Sequence, residues 1–168
     1  KYVIRNVAQK YGKVATMMPK PIAMDSGSGM HVNVSLWKGK NNAFYDPDDV
    51  IELSQLGRYF CGGIINHAKA LSAICNPTTN SYHRLVPGYE APAYIAWSSG
   101  NRSACVRVPK HLTGKQYSNL KRLEFRAPDP SANPYLAFAA VTAAGMDGIK
   151  KKMDPGEPVN QDIFKMTK

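Results

Sequence analysis

Polar and apolar side chains alternate along three segments of this chain, and this alternation constrains the fold more than any other feature. The segments are residues 30 to 37, 103 to 108 and 122 to 126. Successive side chains of a β-strand point to opposite faces, so each segment predicts a strand with one apolar and one polar face. If the three strands share one sheet with their apolar faces inward, the polar faces line a common surface.

The polar faces carry residue types that bind metal ions and phosphate. They are His31, Asn33 and Ser35 on the first strand, Ser103, Cys105 and Arg107 on the second, and Arg122, Glu124 and Arg126 on the third. A histidine, a carboxylate and several guanidinium groups together suit a divalent cation and phosphate oxygens. Each residue alone also has an ordinary structural interpretation. His31 could be a half-buried imidazole, and Glu124 could form a surface ion-pair ladder with its flanking arginines.

Three helices are predicted from apolar residues that recur every three or four positions. One ends at Gly12, one begins after Asp46 as N-cap and runs to about Cys75, and one follows Asn133 as N-cap. The pair Gly62 and Gly63 inside the second helix indicates either a weak point or a place where another element packs closely.

Short strands are also predicted over residues 14 to 18 and 93 to 97, and residues 76 to 92 are predicted to be a long loop. Strands and helices follow one another without a regular alternation. This mixture favours an α+β fold over a doubly wound sheet.

The charge of the chain is +10 and is unevenly spread. Residues 76 to 126 contain eight Lys or Arg and two acidic residues, a local charge of 8 − 2 = +6. Such a stretch attracts polyanions, which could be nucleic acid or nucleotide phosphates, although a solvated basic face has the same composition. The longest apolar runs are too short to span a bilayer. The three cysteines form no close pair and are interpreted as reduced thiols, as in a cytoplasmic protein.

Taken in order, five segments resemble one family, the glutamine synthetases of the bacterial and archaeal type. The segments are MPKP at 18–21, GSGMHV at 27–32, NPTTNSYHRLVPGYEAP at 76–92, NRSACVRVP at 101–109 and RLEFRAPDPSANPYLAFAA at 122–140. The resemblance implies a partial catalytic domain over residues 1–168, built as a curved antiparallel sheet (a half-barrel) with flanking helices. It also implies that the small N-terminal domain, the upstream strands with most metal ligands, and a C-terminal segment lie outside this chain.

The same resemblance implies an ATP-dependent ligase that joins ammonia to glutamate through γ-glutamyl phosphate, with two divalent cations, Mg²⁺ or Mn²⁺. The residues that it assigns are His31 and Glu124 as metal ligands; Gly27, Arg84, Glu90, Arg102 and Arg126 around glutamate; and Asn33, Ser35, Arg102, Arg107 and Arg122 around ATP. Glu90, Arg102 and Arg126 are implied to be catalytic, with Glu90 on a loop that closes over the site. Family members form dodecamers, so a homo-oligomer is expected of the intact enzyme.

Two positions depart from the pattern of the family. Ser26 replaces an asparagine that contacts glutamate in most relatives, and Asn33 replaces a histidine near the ATP phosphates. These departures keep open a γ-glutamyl ligase that uses an organic amine instead of ammonia. A basic nucleic-acid-binding module is the third alternative. It is disfavoured because the arginines alternate with a carboxylate and no aromatic stacking platform is evident, so no nucleic-acid or membrane partner is expected.

Overall fold

The computed structural model describes residues 1–89, 91–109 and 113–160. It has six strands: β1 (Val32–Val34), β2 (Trp37–Lys38), β3 (Asn41–Asn42), β4 (Tyr94–Ser99), β5 (Ala104–Val108) and β6 (Leu123–Phe125). Its α-helices are α1 (Tyr2–Lys10), α2 (Gln55–Asn66), α3 (Ala68–Cys75), α4 (Thr79–Arg84) and α5 (Pro134–Lys151), and a 3-10 helix covers Lys115–Leu120. The α+β class predicted from the sequence is confirmed.

Four of the strands form an open sheet in the order β1-β6-β5-β4, and β2 and β3 form a separate two-stranded ribbon. β6 is antiparallel to both β1 and β5, as predicted, whereas β4 runs parallel to β5. The sheet is therefore mixed instead of uniformly antiparallel. An alternating pattern is the same for a strand of either direction, so the sequence pattern could not reveal the direction of β4.

The helix predicted to begin after Asp46 begins eight residues later, at Ser54, whose hydroxyl accepts a hydrogen bond from the Gly57 amide at 3.2 Å. Residues 46–53 form turns, because the carboxylate of Asp49 accepts hydrogen bonds from the amides of Ile51 and Leu53. Short acidic side chains often satisfy nearby amides in this way and compete with helix formation. The predicted end at Cys75 is confirmed, with a break between α2 and α3 at His67.

Two further predictions of local structure were wrong. Residues 14–18 form no strand in the described structure, where Val14 is 98% exposed and pairs with no neighbouring strand. The loop predicted for residues 76–92 contains helix α4. Thr78 and Ser81 form a capping box at its start, which satisfies two amides in a sequence otherwise rich in loop residues. The cap of the last helix is confirmed, since the Asn133 side chain accepts hydrogen bonds from the amides of Tyr135 and Leu136.

The core lies where α2 and α5 pack against each other and against the sheet. The close approach predicted as one alternative for Gly62 and Gly63 is confirmed: a Cβ added to Gly63 would lie 2.2 Å from the Ala144 carbonyl oxygen. A Cβ added to Gly145 would lie equally close to the ring of Phe60, which is fully buried. The two helix backbones can approach this closely only because glycines stand on both sides. Among the described residues no helix is both long enough and apolar enough to cross a bilayer.

We expect Gly63→Ala to lower the free energy of unfolding by about 1–3 kcal/mol, the usual effect of adding a methyl group to a filled core. The added methyl group would force α2 and α5 apart, which also loosens the sheet beneath them. Urea unfolding of the chain measures the effect. Ala143→Ser on the exposed face of α5 is the control and should change stability by less than about 0.5 kcal/mol. Equal stability of the two variants would contradict the packing described.

Candidate functional site

The strand register brings three of the predicted site residues into one row across the sheet. Asn33 on β1 and Arg107 on β5 both lie opposite Glu124 on β6. Directly paired residues share a face, so their side chains project to the same side. The common polar surface predicted from the alternating segments therefore exists, and Glu124 lies at its centre.

Glu124 is 93% buried and is surrounded by positive or polarisable groups. Its Oε1 lies 3.0 Å from His31 Nδ1 and 3.1 Å from Arg126 Nη1, and its Oε2 accepts a hydrogen bond from Arg107 Nη1 at 2.8 Å. The hydrogen bond with His31 contributes most to lowering the pKa of Glu124 to about 2, against the opposing effect of burial. The carboxylate is therefore ionised at neutral pH.

His31 and Glu124 fit a divalent cation as two members of a larger ligand set. An imidazole nitrogen and a carboxylate oxygen converge there, and both are ligand types that such ions accept. Within the described parts of the chain, no third Asp, Glu, His or Cys joins them. Arg107 and Arg126 also neutralise the carboxylate that a cation would need. Any further carboxylate, imidazole or thiolate ligand of a metal ion at this position would therefore come from outside the described residues.

A pocket of about 160 Å³ opens beside this cluster. We call it the arginine pocket; it is lined by Ser26, Gly27, Gly29, His31, Arg84, Tyr89, Ala91 and Arg126. The glycines are required by space, because a Cβ on Gly27 would lie 2.6 Å from the Pro19 carbonyl oxygen and one on Gly29 would lie 2.6 Å from Arg84 Nη2. Two guanidinium groups and closely approaching backbone suit a small anionic ligand.

Arg84 forms part of the pocket wall and is held there by backbone carbonyl groups. It is buried, and its guanidinium group donates to the carbonyl oxygens of Ala127 at 2.8 Å and Arg126 at 3.0 Å. Burial lowers the pKa of Arg84 to about 10, which still leaves it charged at neutral pH. α4, which the sequence had not predicted, is the element that delivers this side chain. The predicted contact of Arg84 with glutamate stays a prediction.

Of the residues predicted to meet ATP, Asn33 and Arg107 lie in the row with Glu124, and Arg122, Ser35 and Arg102 lie in the segments next to β6, β1 and β5. Arg122 donates through Nε to Asn33 Oδ1 at 2.9 Å and through Nη1 to the Leu120 carbonyl oxygen at 3.1 Å, so its guanidinium group is held in place. Ser35 accepts a hydrogen bond from Trp37 Nε1 at 3.0 Å. Arg102 is exposed in the turn between β4 and β5. Glu90 lies outside the described residues.

The predicted polar face of β5 is only partly polar. Cys105 and Ser103 are buried, and Cys105 belongs to the hydrophobic core. β5 is an inner strand with buried residues on both faces, Cys105 on one and Val106 on the other, so alternation predicts its exposure poorly. Three pocket residues were not among the predicted site residues: Gly29, Tyr89 and Ala91. The signals that could have found them were the Gly-Ser-Gly segment and the positions of Tyr89 and Ala91 on either side of Glu90.

Comparison with known proteins places this geometry in a family. A family model described as the glutamine synthetase catalytic domain matches residues 1–168. The chain is 57% identical to a glutamine synthetase of Sulfolobus acidocaldarius and 59% identical to one of Thermotoga maritima, over 99% of its own length.

It covers 35% and 37% of those two proteins, so it spans about a third of their length. A cryoEM structure of Plasmodium falciparum glutamine synthetase superposes with a TM-score of 0.87 and 44% identity, covering 96% of this chain and 31% of that one. The fold, the row of polar residues and the matched sequence agree, and the chain therefore belongs to the glutamine synthetase family.

Proposed function

We propose that this chain forms part of an ATP-dependent ligase that joins ammonia to the side-chain carboxylate of glutamate. The observation that supports this most directly is the position of the ionised Glu124 cluster beside the arginine pocket. A site for cations and phosphate thus borders a site for a small anion. A phosphoryl transfer to a carboxylate needs these two sites next to each other.

His31 and Glu124 would hold one of the two divalent cations, Mg²⁺ or Mn²⁺, that the intact enzyme uses. Such ions neutralise charge on transferring phosphates. The positive charge already present in this chain complements that role: Arg107 and Arg126 flank Glu124 within 3.1 Å. Their guanidinium groups can donate hydrogen bonds to phosphate oxygens, and charge-assisted bonds of this kind are the strong ones.

Glutamate would occupy the arginine pocket, in contact with Gly27, Arg84, Glu90, Arg102 and Arg126. Gly27 brings backbone close, and the buried Arg126 provides a fixed positive charge. ATP would lie along the adjoining sheet face, near Asn33, Ser35, Arg102, Arg107 and Arg122. The hydrogen bond from Arg122 to Asn33 holds that guanidinium group in one orientation, which lowers the entropy lost on binding phosphate.

The proposed reaction has two steps. A side-chain carboxylate oxygen of glutamate attacks the γ-phosphorus of ATP, which forms γ-glutamyl phosphate and releases ADP. Ammonia then attacks the γ-carbonyl carbon; the new C–N bond replaces the C–O bond to phosphate, and glutamine and inorganic phosphate leave. Glu90 would accept the proton that ammonium loses. Arg126 and Arg102 would stabilise negative charge on the transferred group.

We further propose that the intact enzyme is a homo-oligomer, since the family assembles into dodecamers. We also propose that it is cytoplasmic. The two relatives reported above are glutamine synthetases. Ammonia is therefore proposed as the amine substrate.

Replacing the central carboxylate tests the metal assignment. In the intact enzyme, Glu124→Gln should raise the Mg²⁺ or Mn²⁺ concentration needed for half-maximal activity by at least about tenfold, because loss of even an indirect partner of a metal ligand costs that much. Metal titrations of glutamine formation measure it. Glu157→Gln, at an exposed carboxylate, is the matched control and should behave as wild type. An unchanged metal requirement for Glu124→Gln would rule out Glu124 as a ligand.

Glu90 is tested through the amine step. We expect Glu90→Ala to lower the rate of glutamine formation by about 10²–10⁴-fold, the usual contribution of a general base, with little change in ATP affinity. Steady-state kinetics and calorimetry of ATP binding separate the two effects. Near-normal turnover would contradict the role proposed for Glu90.

The 168-residue chain by itself should fold but make no glutamine. It buries a continuous core beneath the sheet, which supports folding, yet its described residues offer only two converging metal ligands. Circular dichroism and phosphate-release assays with Mg²⁺ and with Mn²⁺ test both parts. Turnover by the purified chain, free of host enzyme, would show that its own residues complete the site.

A further inference from the structure

Lys20 is a buried cation that takes no part in the chemistry proposed above. Only 6% of its surface is exposed, although lysine is rarely buried unless its charge has partners. Its ammonium nitrogen lies 3.6 Å from the centroid of the Tyr89 ring, and the same nitrogen donates a hydrogen bond to the carbonyl oxygen of Asp25. A cation over an aromatic face is attracted by the negative face of the ring.

The backbone around Lys20 is held from both sides. The Lys20 amide donates to Asn80 Oδ1 at 2.8 Å, and Asn80 Nδ2 donates back to the Lys20 carbonyl oxygen at 3.0 Å. The preceding carbonyl, that of Pro19, accepts a hydrogen bond from the Ser28 amide at 2.8 Å. Lys20 therefore projects from a fixed point, and groups bound to its ammonium are fixed with it.

The two partners of the ammonium belong to two segments that line the arginine pocket. Tyr89 lines the pocket itself, and Asp25 directly precedes Ser26 and Gly27, which line it as well. We propose that Lys20 is a positioning residue that clamps these two segments together and so fixes the shape of the arginine pocket.

A neutral side chain of similar length could fill the same space but would make neither the cation–π interaction with Tyr89 nor the hydrogen bond to the Asp25 carbonyl oxygen. The charge is what joins the carbonyl oxygen of one segment to the aromatic ring of the other. Removing it should let the two segments separate, while the fold that rests on α2, α5 and the sheet persists. The role of Lys20 in shaping a glutamate site rests on the proposed function. Its role in holding Tyr89 and Asp25 together is independent of that function.

The clamp is tested on the 168-residue chain by limited digestion with chymotrypsin, which cuts after exposed aromatic residues. Lys20→Met should speed the cut after Tyr89 by about 3- to 30-fold, the range that corresponds to loss of one cation–π contact. Lys20→Arg, which keeps the cation, should stay near the wild-type rate. The cut after Tyr82, which is already exposed, is the internal reference, and Lys13→Met is the matched control at an exposed lysine. An unchanged rate after Tyr89 in Lys20→Met would overturn the proposal.

If Lys20→Met also speeds the cut after the buried Trp97, the variant is unfolding as a whole, and digestion cannot report on the clamp. A double-mutant cycle in melting temperature then tests the proposal. The melting temperatures of Lys20→Met, Tyr89→Leu and the double variant are compared. The proposal expects the loss in the double variant to be smaller than the sum of the two single losses, because both remove one contact. Strictly additive losses would overturn it.

The positioning role is tested in the intact enzyme by kinetics. Lys20→Met should raise the KM for glutamate by about 3- to 30-fold while kcat changes less, and Lys20→Arg should restore the KM. A KM that does not change would contradict the positioning role. Failure of the unaltered enzyme to form glutamine would contradict the proposed function alone, since the digestion result does not depend on it.

Discussion

The arrangement of the site depends on how the negative charge of one buried carboxylate, that of Glu124, is neutralised. Glu124 lies on an inner strand of the sheet, where an unpaired charge would be strongly destabilising. Its partners come from the two neighbouring strands and from its own: Arg107 on β5, Arg126 directly after β6, and His31 directly before β1. The compensation of this charge therefore ties three strands together on the polar face, as the apolar core does on the opposite face.

The sequence predicted the features that short-range physics determines. Asn133 caps α5 because its side chain reaches amides two and three residues away. The alternation of β1 and β6 placed His31, Asn33 and Glu124 on one surface because side-chain direction in a strand follows from sequence position alone. The roles of these residues were predicted from the family resemblance, because alternation predicts the direction of a side chain and not its function.

The features that the sequence did not predict depend on competition between local hydrogen bonds or on partners that are distant in the chain. Asp46 is a residue type that often caps helices. The hydrogen bonds that Asp49 accepts hold residues 46–53 in turns instead, so the N-cap of the helix is Ser54. Cys105 alternates like a surface residue but lies on an inner strand with buried residues on both faces. α4 is short and owes its start to a capping box. Its burial of Arg84 against the segment after β6 depends on contacts that lie more than 40 residues apart in the chain.

The separation in sequence of the residues that form the site has a consequence for how the molecule reaches its native state. The contact between His31 and Arg126 joins positions 95 residues apart, and that between Arg84 and Ala127 joins positions 43 residues apart. Contacts of such long range close large loops, and chains rich in them fold slowly because the entropy of closure is lost before the contact forms. The row formed by Asn33, Glu124 and Arg107 therefore cannot exist in any partly folded state in which β1 is not yet paired with β6, so its formation reports on completion of the sheet.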